Sequence, residues 1–324
     1  MVFDAHSDLL YDVTRRRLLG ERRVLEHHHL DRLRRGGVEG LVLAVWASGP
    51  RETFWKDTAW KDPASNLGRT HQIFACARAD LAECPQIRPV HTAAEAEAAR
   101  AAGQIYAFLA VEGMAAIGGN PAGVDWYYGQ GARLGMLTWN ETNALAAGAR
   151  GDPQAGLTEA GRRAVRRMGE LGMVVDVSHL NDGGFWDVMD LAAGPVIASH
   201  SNCRALSPHN RNLTDEMIRA LAEKGGIAGL NYCASFVDAD SAHPKLCRST
   251  VERLAKHAAH FKQVGGIEVI SLGSDFDGIG GQHELETAAD MPLLAEALRR
   301  EGFTEDEVEA IYWRNAYRFF KNNL

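Results

Sequence analysis

Short apolar runs alternate with helical patterns along the sequence. The apolar runs are rich in β-branched residues, and near-continuous runs of this kind are typical of parallel strands buried on both faces. Eight of them predict strands, at residues 2–10, 38–47, 104–113, 134–140, 172–179, 194–201, 225–232 and 267–278. Among the segments between and after them, 158–172, 213–226 and 304–323 predict helices, each with a threonine at its start that can cap the helix.

Eight strands that alternate with helices predict one α/β domain over residues 1–324, a (β/α)8 TIM-type barrel. A barrel of this type needs about 250 residues. We therefore place an insertion at roughly 48–103, which carries FWKDTAW and an alanine-rich helix. The competing architecture is an open, doubly wound sheet. No Gly-rich phosphate loop follows any predicted strand, so the barrel is favoured.

The composition of the 324 residues, 46% hydrophobic and 24% charged, is that of a soluble globular protein. No apolar run reaches the ~18 residues of a membrane span. The five cysteines form no C-x-x-C pair and no signal peptide opens the sequence, so we expect the reducing cytoplasm. A net charge of −7 argues against a nucleic-acid partner, because phosphate binding needs a basic face.

The candidate chemistry lies where the predicted strands end. Catalytic residues of a barrel gather at the C-terminal ends of its strands. Those ends carry three histidines and several carboxylates: His6, Asp8, Glu112, His179, His200 and either Asp275 or Asp277. Imidazole and carboxylate without thiolate are ligands of catalytic Zn²⁺ and related divalent ions. Six ligands exceed one tetrahedral ion, so we expect two ions that share a bridging carboxylate.

Other polar residues have simpler interpretations. The tract EHHHLDR at 26–32 is interpreted as a solvated helix with one interior contact, because it precedes the second strand. Asp176 lies three residues before His179, so on a strand its side chain faces away from that ring, and a structural role is predicted. Seven further histidines fit no strand end and receive no role: His71, His91, His209, His243, His257, His260 and His283.

At these motifs the sequence resembles the renal (membrane) dipeptidase family of binuclear zinc peptidases. The resemblance covers nearly the whole chain and rests, in order, on DAHSDLL, AVEGMAAIG, GLTEAGRRAVRRMGELGMVVDVSH, PVIASHSNCRALSPHNRNLTDE and LGSDFDG. It implies a (β/α)8 barrel with two Zn²⁺ per chain, bridged by Glu112. The other implied ligands are His6, Asp8 and Asp275 for the first ion, and His179 and His200 for the second.

The resemblance further implies that Arg211 binds the C-terminal carboxylate of a dipeptide, a group that a planar guanidinium matches well. In the expected reaction a metal-bridging hydroxide attacks the peptide carbonyl, and Asp275 passes the water's proton to the leaving amine. The implied activity is hydrolysis of dipeptides to free amino acids, including dipeptides with a C-terminal D-residue. A homodimer is implied by the resemblance as well.

One position departs from the family pattern. Animal members have a histidine after the LT of the fourth strand, where this chain has Trp139 in LTWNETN. An indole donates one hydrogen bond but cannot carry a proton. Trp139 is therefore expected to alter the substrate range, with Asn140 or Asn143 serving in substrate binding.

Two alternatives to a dipeptidase stay open. The first is another binuclear metal-dependent enzyme of the amidohydrolase type, acting on a lactone, a phosphoester or a cyclic amide. The second is a barrel that binds a ligand without catalysis. Loss of catalysis usually removes metal ligands, and all six candidate ligands are present, which argues against the second.

Overall fold

The computed structural model describes residues 1–47, 66–194, 196–238 and 246–324 of the chain. The segment FWKDTAW, the first part of the predicted insertion and His243 lie outside the described residues. Within these ranges the strands are β1 (Val2–Ser7), β2 (Val38–Trp46), β3 (Ile87–Pro89), β4 (Ile105–Glu112), β5 (Ala132–Met136), β6 (Val174–Asp176), β7 (Ile197–Ala198), β8 (Ile227–Leu230), β9 (Arg248–Ser249), β10 (Ile270–Leu272) and β11 (Gln282–His283).

The helices alternate with these strands. In the described ranges they are α1 (Leu9–Leu18), α2 (Leu30–Arg35), α3 (Asn66–Glu83), α4 (Ala93–Ala101), α5 (Gly123–Gly129), α6 (Glu159–Leu171), α7 (Asp182–Leu191), α8 (Asp215–Glu223), α9 (Ala234–Val237), α10 (Val251–Gly265), α11 (Met291–Arg300), α12 (Glu305–Glu309) and α13 (Asn315–Asn323). Two π-helical turns, Leu25–His29 and Ala310–Arg314, precede α2 and α13. No helix in these ranges has both the length and the apolar character needed to cross a membrane.

Eight parallel strands of the described chain close into a barrel, in the order β1, β2, β4, β5, β6, β7, β8 and β10. β10 pairs with β1, and β2 pairs with β4 from Gly40 opposite Tyr106 to Trp46 opposite Glu112. β3 lies outside this circuit and pairs only with the first residues of β4. The predicted TIM-type barrel is confirmed, because a closed circuit of strands excludes the open sheet.

The barrel strands are shorter than the apolar runs that predict them. β7 has two residues within the run 194–201, and β10 has three within 267–278. The fourth predicted strand begins at residue 134, but the corresponding observed strand, β5, begins at Ala132 and ends at Met136. Its apolar run continues past the ladder, where Leu137 accepts a hydrogen bond from the loop residue Met114. The end of each apolar run therefore belongs to the mouth of the barrel.

The predicted helix caps are confirmed. The side chain of Thr158 accepts a hydrogen bond from the backbone N–H of Gly161, which starts α6. Thr214 begins α8 in the same way, and Thr304 forms a full capping box with Glu307 at the start of α12. Short polar side chains at these positions satisfy N–H groups that the first helical turn leaves without partners.

Aromatic rings from the C-terminal helix fill the floor of the barrel. Phe320 of α13 stacks on Phe3, near the start of β1, at a centroid distance of 4.8 Å, and on Phe108 of β4 at 5.2 Å. Trp313 packs edge-on against Phe3 at 6.4 Å. These rings close the N-terminal end of the barrel and leave its C-terminal end as the open mouth.

Candidate metal centre and active site

The mouth of the barrel gathers six side chains from five strand ends. His6 lies in β1 and Asp8 directly after it, and Glu112 ends β4. The remaining three follow the ends of β6, β7 and β10: His179, His200 and Asp275. All six are buried, with at most 8% of any residue exposed. The structure therefore brings every ligand predicted from the strand ends into one cluster.

Glu112 lies at the centre of this cluster. Its Oε2 is 3.5 Å from His6 Nε2, whereas its Oε1 is 2.8 Å from His179 Nε2. His6 Nε2 is also 3.9 Å from Asp8 Oδ1 and 3.9 Å from Asp275 Oδ1. The two oxygens of one carboxylate thus face two different sets of donor atoms.

Three overlapping groups of side chains have donor atoms within 4.8 Å of one another: His6, His200 and Asp275; Glu112, His179 and His200; and His6, Asp8 and Glu112. Three of the donor atoms, His6 Nε2, Asp8 Oδ1 and Glu112 Oε2, are buried without a hydrogen-bond partner among the described residues. Leaving buried polar atoms unpaired is costly. Divalent cations would satisfy all three at once, so the residues present fit a metal centre.

The carboxylates of Asp8, Glu112 and Asp275 lie close together, and their pKa values are shifted in different directions. Burial raises the pKa of Asp8 well above its ordinary value, and the charges of Glu112 and Asp275 add to this effect. Burial also raises the pKa of Asp275, to about 6. Burial acts in the same direction on Glu112, but His6 and His179 outweigh it and hold the pKa of Glu112 below its ordinary value. A cation in the cluster would stabilise all three as carboxylates.

Two of the three histidines are neutral because they are buried. Burial lowers the pKa of His179 to about 3 and that of His200 well below its ordinary range. At His6 burial also acts to lower the pKa, but the charge of Glu112 outweighs it and the pKa is raised. His179 Nδ1 lies 2.9 Å from Asn140 Oδ1. That oxygen is an acceptor, so Nδ1 carries the ring proton and Nε2 is left as a metal donor.

The backbone at the mouth adopts rare conformations. φ is 72° at His179, 63° at Asp275 and 67° at Asp277, in the left-handed region that side chains other than glycine seldom occupy. A Cβ at the adjacent Gly278 would collide with the carboxylate of Asp8, so only glycine fits there. Backbone strain of this kind is typical of sites where the fold directs functional side chains.

Asp275 and Asp277, which spacing alone does not separate, have different surroundings. Asp275 directs Oδ1 towards His6, and its Oδ2 accepts a hydrogen bond of 2.9 Å from Asn231 Nδ2. Asp277 Oδ1 instead lies 3.5 Å from the guanidinium of Arg32. The structure therefore brings Asp275 into the ligand cluster and leaves Asp277 at its edge.

A cleft beside the ligand cluster has an aromatic wall. The rings of Tyr11, Trp46 and Trp139 follow one another along it, with centroids 5.9 Å and 5.4 Å apart. Trp139 in turn lies 6.1 Å from the ring of His179. The cleft has a cavity volume of about 160 Å³ and opens onto the carboxylates and His179 of the ligand cluster.

Arg211 is buried beside this cleft and does not line it. Its guanidinium packs over the ring of Phe236, a residue of the cleft wall, at 5.4 Å. Nη1 donates to Ser201 Oγ at 3.4 Å, Nη2 donates to His200 O at 3.3 Å, and Nε has no partner among the described residues. Burial lowers the pKa of Arg211. A buried cation with such long hydrogen bonds is a potential anion site.

Sequence reasoning misses the polar residues that support the ligands. Asp4 accepts hydrogen bonds from the N–H of Ser274 at 2.8 Å and from its hydroxyl at 2.5 Å, which ties β1 to the loop that carries Asp275. Asn231 holds Asp275 directly. The only signal of Asp4 in the sequence is its place two residues before a ligand, and Asn231 has no signal, since its contact spans 44 positions.

A parallel barrel whose mouth gathers three histidines and three carboxylates defines the class of metal-dependent barrel hydrolases. The chain belongs to the membrane dipeptidase family (peptidase family M19), since the model of that family matches residues 1–323. It is a metallopeptidase of this dipeptidase family. The resemblance inferred from the motifs is confirmed.

Similarity to solved structures and to curated relatives supports this family assignment. Dipeptidase AC, described as a metallo peptidase of family M19, has a TM-score of 0.87 and 27% identity, with 99% of this chain and 98% of that chain covered. A metallo peptidase from Rhodobacter sphaeroides, liganded with a phosphinate mimic of the dipeptide L-Ala-D-Ala, has a TM-score of 0.86 and 26% identity, covering 100% and 99%. Uncharacterized dipeptidase C965.12 from Schizosaccharomyces pombe is 34% identical over 225 residues, 68% of this chain, and the match spans about half, 53%, of that protein.

Proposed function

We propose that this chain uses two Zn²⁺ ions to hydrolyse dipeptides to free amino acids, including dipeptides with a C-terminal D-residue. The observation that carries the proposal is Glu112, whose two oxygens face separate sets of donor atoms. A carboxylate in this position is suited to bridge two ions. The Rhodobacter sphaeroides peptidase, which was solved with a mimic of L-Ala-D-Ala, supports the substrate class.

The six clustered side chains divide between the two ions. His200 lies within reach of both sets, and its place with His179 follows the family resemblance. When bound, the ions supply Lewis-acid polarisation of the peptide carbonyl and lower the pKa of a water molecule. The proposed ligands are His6, Asp8 and Asp275 for the first ion, His179 and His200 for the second, and Glu112 for both.

Asp275 is the proposed general base and acid. Hydrolysis joins the oxygen of water to the carbonyl carbon, breaks the C–N bond and moves one proton from the water to the leaving nitrogen. Asn231 holds Oδ2 of Asp275 at 2.9 Å, while Oδ1 faces the ligand cluster. A carboxylate fixed in this way can accept the proton from water and return it to the amine.

Arg211 is proposed to bind the free carboxylate of the substrate. Its hydrogen bonds to protein oxygens are long and its Nε is unpartnered among the described residues, so an arriving carboxylate would gain a charge-assisted pair. Arg211 donates to the carbonyl of the proposed ligand His200, so a carboxylate bound at Arg211 would lie close to the metal centre. This restricts hydrolysis to short substrates.

The aromatic wall is proposed to set the range of substrate side chains. Trp139 stands between Trp46 and His179, so a substrate bound at the metal centre presents one side chain to this wall. Large apolar rings favour an apolar or aromatic side chain there. Asn140 commits its Oδ1 to His179, which leaves its amide N–H groups for substrate binding.

We also infer a cytoplasmic location and a homodimer. All five cysteines are free thiols in this structure, as expected for a protein kept in a reducing compartment. The homodimer is supported by the family resemblance. We further propose a single domain with an insertion at roughly 48–103, of which α3, β3 and α4 form the described part.

The test is amino-acid release from a panel of L-L and L-D dipeptides, comparing zinc-loaded protein with protein stripped by a chelator. We expect release only from the loaded protein, and Arg211→Lys should raise KM at least tenfold because the bidentate geometry is lost. The matched control is Arg162→Lys, whose Nη2 donates to Asp187 Oδ2 at 2.7 Å and which does not line the cleft; its KM should not change.

Two results would redirect the assignment. If the zinc-loaded protein releases amino acids from none of the dipeptides but hydrolyses a lactone, a phosphoester or a cyclic amide, the alternative hydrolase is favoured. Zinc binding without turnover of any of these compounds would favour a binding protein.

A further inference from the structure

The hydroxyl of Ser199 lies between two of the proposed metal ligands. Ser199 immediately precedes His200, and its Oγ is 2.8 Å from Nδ1 of that ring. The same Oγ is 3.4 Å from Nδ1 of His6, which lies 193 positions away in the sequence. The two rings lie against each other with centroids 3.7 Å apart. One hydroxyl thus contacts two imidazoles.

Counting donors and acceptors fixes how this contact can be made. A serine hydroxyl has one proton and two lone pairs. If His6 and His200 are to present Nε2 as a metal donor, each ring carries its proton on Nδ1. Both Nδ1–H groups then donate to Ser199 and occupy its two lone pairs. The serine proton consequently needs an acceptor elsewhere.

Asp176, which already accepts the backbone N–H of Ser199, has a second oxygen available to that proton. Its Oδ1 accepts the backbone N–H groups of Ser178 at 2.9 Å and Ser199 at 3.1 Å, in keeping with the structural role predicted from the sequence. Its Oδ2 is buried and makes no hydrogen bond of ordinary geometry with the described residues. A buried carboxylate oxygen without a partner among the described residues is costly, so Oδ2 is assigned here as the acceptor of the serine proton.

We propose that Ser199 and Asp176 are positioning residues that hold His6 and His200 in the Nδ1-protonated tautomer, so that both Nε2 atoms face the metal centre. The inference rests on the proposed function, because His6 and His200 belong there to different ions. A single hydroxyl therefore orients one ligand of each ion. His179 does not depend on it, since Asn140 holds that ring.

The variant Asp176→Asn tests whether the Ser199 hydroxyl donates its proton to the Asp176 carboxylate. Asparagine keeps the shape and keeps an Oδ1 that accepts both backbone N–H groups, but it places an NH₂ donor where Oδ2 was. Ser199 then accepts from this amide and has to give its proton to one of the rings, which selects the wrong tautomer. We expect zinc affinity to fall about 10- to 100-fold, the usual effect of losing a partner behind a ligand.

Ser199→Ala removes the hydroxyl and should weaken zinc binding by a similar factor. The matched control is Ser271→Ala in β10, because Ser271 is also a fully buried serine and its hydroxyl has no partner among the described residues. Zinc dissociation constants, measured by competition with a chromophoric chelator, should be unchanged in this control. Zinc affinity equal to wild type in either Asp176→Asn or Ser199→Ala would overturn the proposal.

The tautomers can also be observed directly in the wild-type protein. Long-range ¹H–¹⁵N correlation spectra of the zinc-loaded chain should show His6 and His200 protonated at Nδ1. A proton on Nε2 of either ring would overturn the inference even if a variant fails to fold. If the wild type binds no zinc, the proposed function fails; a zinc-loaded chain in which either ring lacks the Nδ1 proton overturns this inference alone.

Discussion

Two groups of three histidines differ in almost every respect. His27, His28 and His29 are consecutive in the sequence, whereas His6, His179 and His200 come from three distant strand ends. A helical backbone turns by about 100° per residue, so consecutive side chains point in different directions. The barrel instead brings the ends of its strands to one mouth. Histidines that are close in sequence are thus dispersed, and histidines that are far apart converge.

The surroundings of the two groups differ as well. His27 and His28 are exposed, while His29 is buried, 3.0 Å from Asp12 Oδ2 and 2.6 Å from a nitrogen of Arg32. The predicted interpretation of the tract, a solvated helix with one interior contact, is confirmed. His6 of the strand-end group instead faces Asp8 Oδ1 and Glu112 Oε2, two oxygens that have no hydrogen-bond partner among the described residues. A metal centre needs convergent donors that lack other partners, and a dense run of ligand residues does not supply them.

The largest effect is expected at the strand-end cluster. Asp275→Asn should lower kcat by about 10²- to 10⁴-fold, because an amide cannot take up the proton of water, while part of the zinc is retained. Dipeptide kinetics and metal analysis on the same sample measure both. Asp277→Asn is the comparison, since it changes a neighbouring aspartate with the same left-handed backbone, and its zinc content should equal that of the wild type. Unchanged turnover in Asp275→Asn would exclude the proposed proton transfer.

A smaller, pH-dependent effect is expected beside the tract. Burial acts to raise the pKa of Asp12, but hydrogen bonds from His29 and Arg16 outweigh it and lower this pKa to about 2. A lowered carboxylate pKa contributes stability above the ordinary value near pH 4, and the contribution is lost as the pH falls towards 2. With solvent screening of this partly buried group, Asp12→Asn should cost about 1 kcal/mol at pH 6.

Urea unfolding of the wild type and Asp12→Asn at pH 6 and pH 3 measures this contribution. The difference in unfolding free energy between the two proteins should narrow at pH 3, because the Asp12 carboxylate of the unfolded chain takes up a proton near pH 4, whereas the folded chain, with a pKa of about 2, does so only at lower pH. Zinc stoichiometry should be the same in both. A difference that stays constant with pH would show that the charge of Asp12 does not stabilise the fold.

The smallest effect is expected from the exposed pair of the tract. Replacing both His27 and His28 by glutamine should leave zinc content and kcat unchanged, and the free energy of unfolding should stay within about 0.5 kcal/mol, as for most surface substitutions. Metal analysis and urea unfolding of the double variant test this. Loss of a zinc ion from the double variant would show that the tract binds metal, contrary to the contrast drawn with the strand-end histidines.

Local patterns predict this fold because they report local physics. The apolar runs locate all eight barrel strands, and the threonines at positions 158, 214 and 304 locate three helix starts. Strand lengths are predicted less well, since an apolar run does not show where the ladder stops. β3 is missed because three residues at the edge of the barrel carry no distinctive period.

The opening motif shows how a correct prediction can rest on an incomplete reason. His6 and Asp8 lie two positions apart in the apolar run 2–10, a spacing that places side chains on one face of a strand, and the two side chains do meet, at 3.9 Å. Asp8, however, lies beyond the end of β1, at the start of α1, and its N–H donates to the carbonyl of Phe276. The pairing of β1 with β2 also shifts register between Asp4 and Ser7. The contact depends on this turn as much as on strand alternation.

The sequence by itself determined the barrel, the family and the six side chains that gather at the mouth, because strand order and strand polarity bring those ends together. Only the tertiary structure decided how the ligands are oriented. The contacts of Ser199 with His6 and of Asn231 with Asp275 join residues 193 and 44 positions apart. Hydrogen bonds at such separations depend on the folded positions of whole strands, and no local pattern in the sequence encodes them.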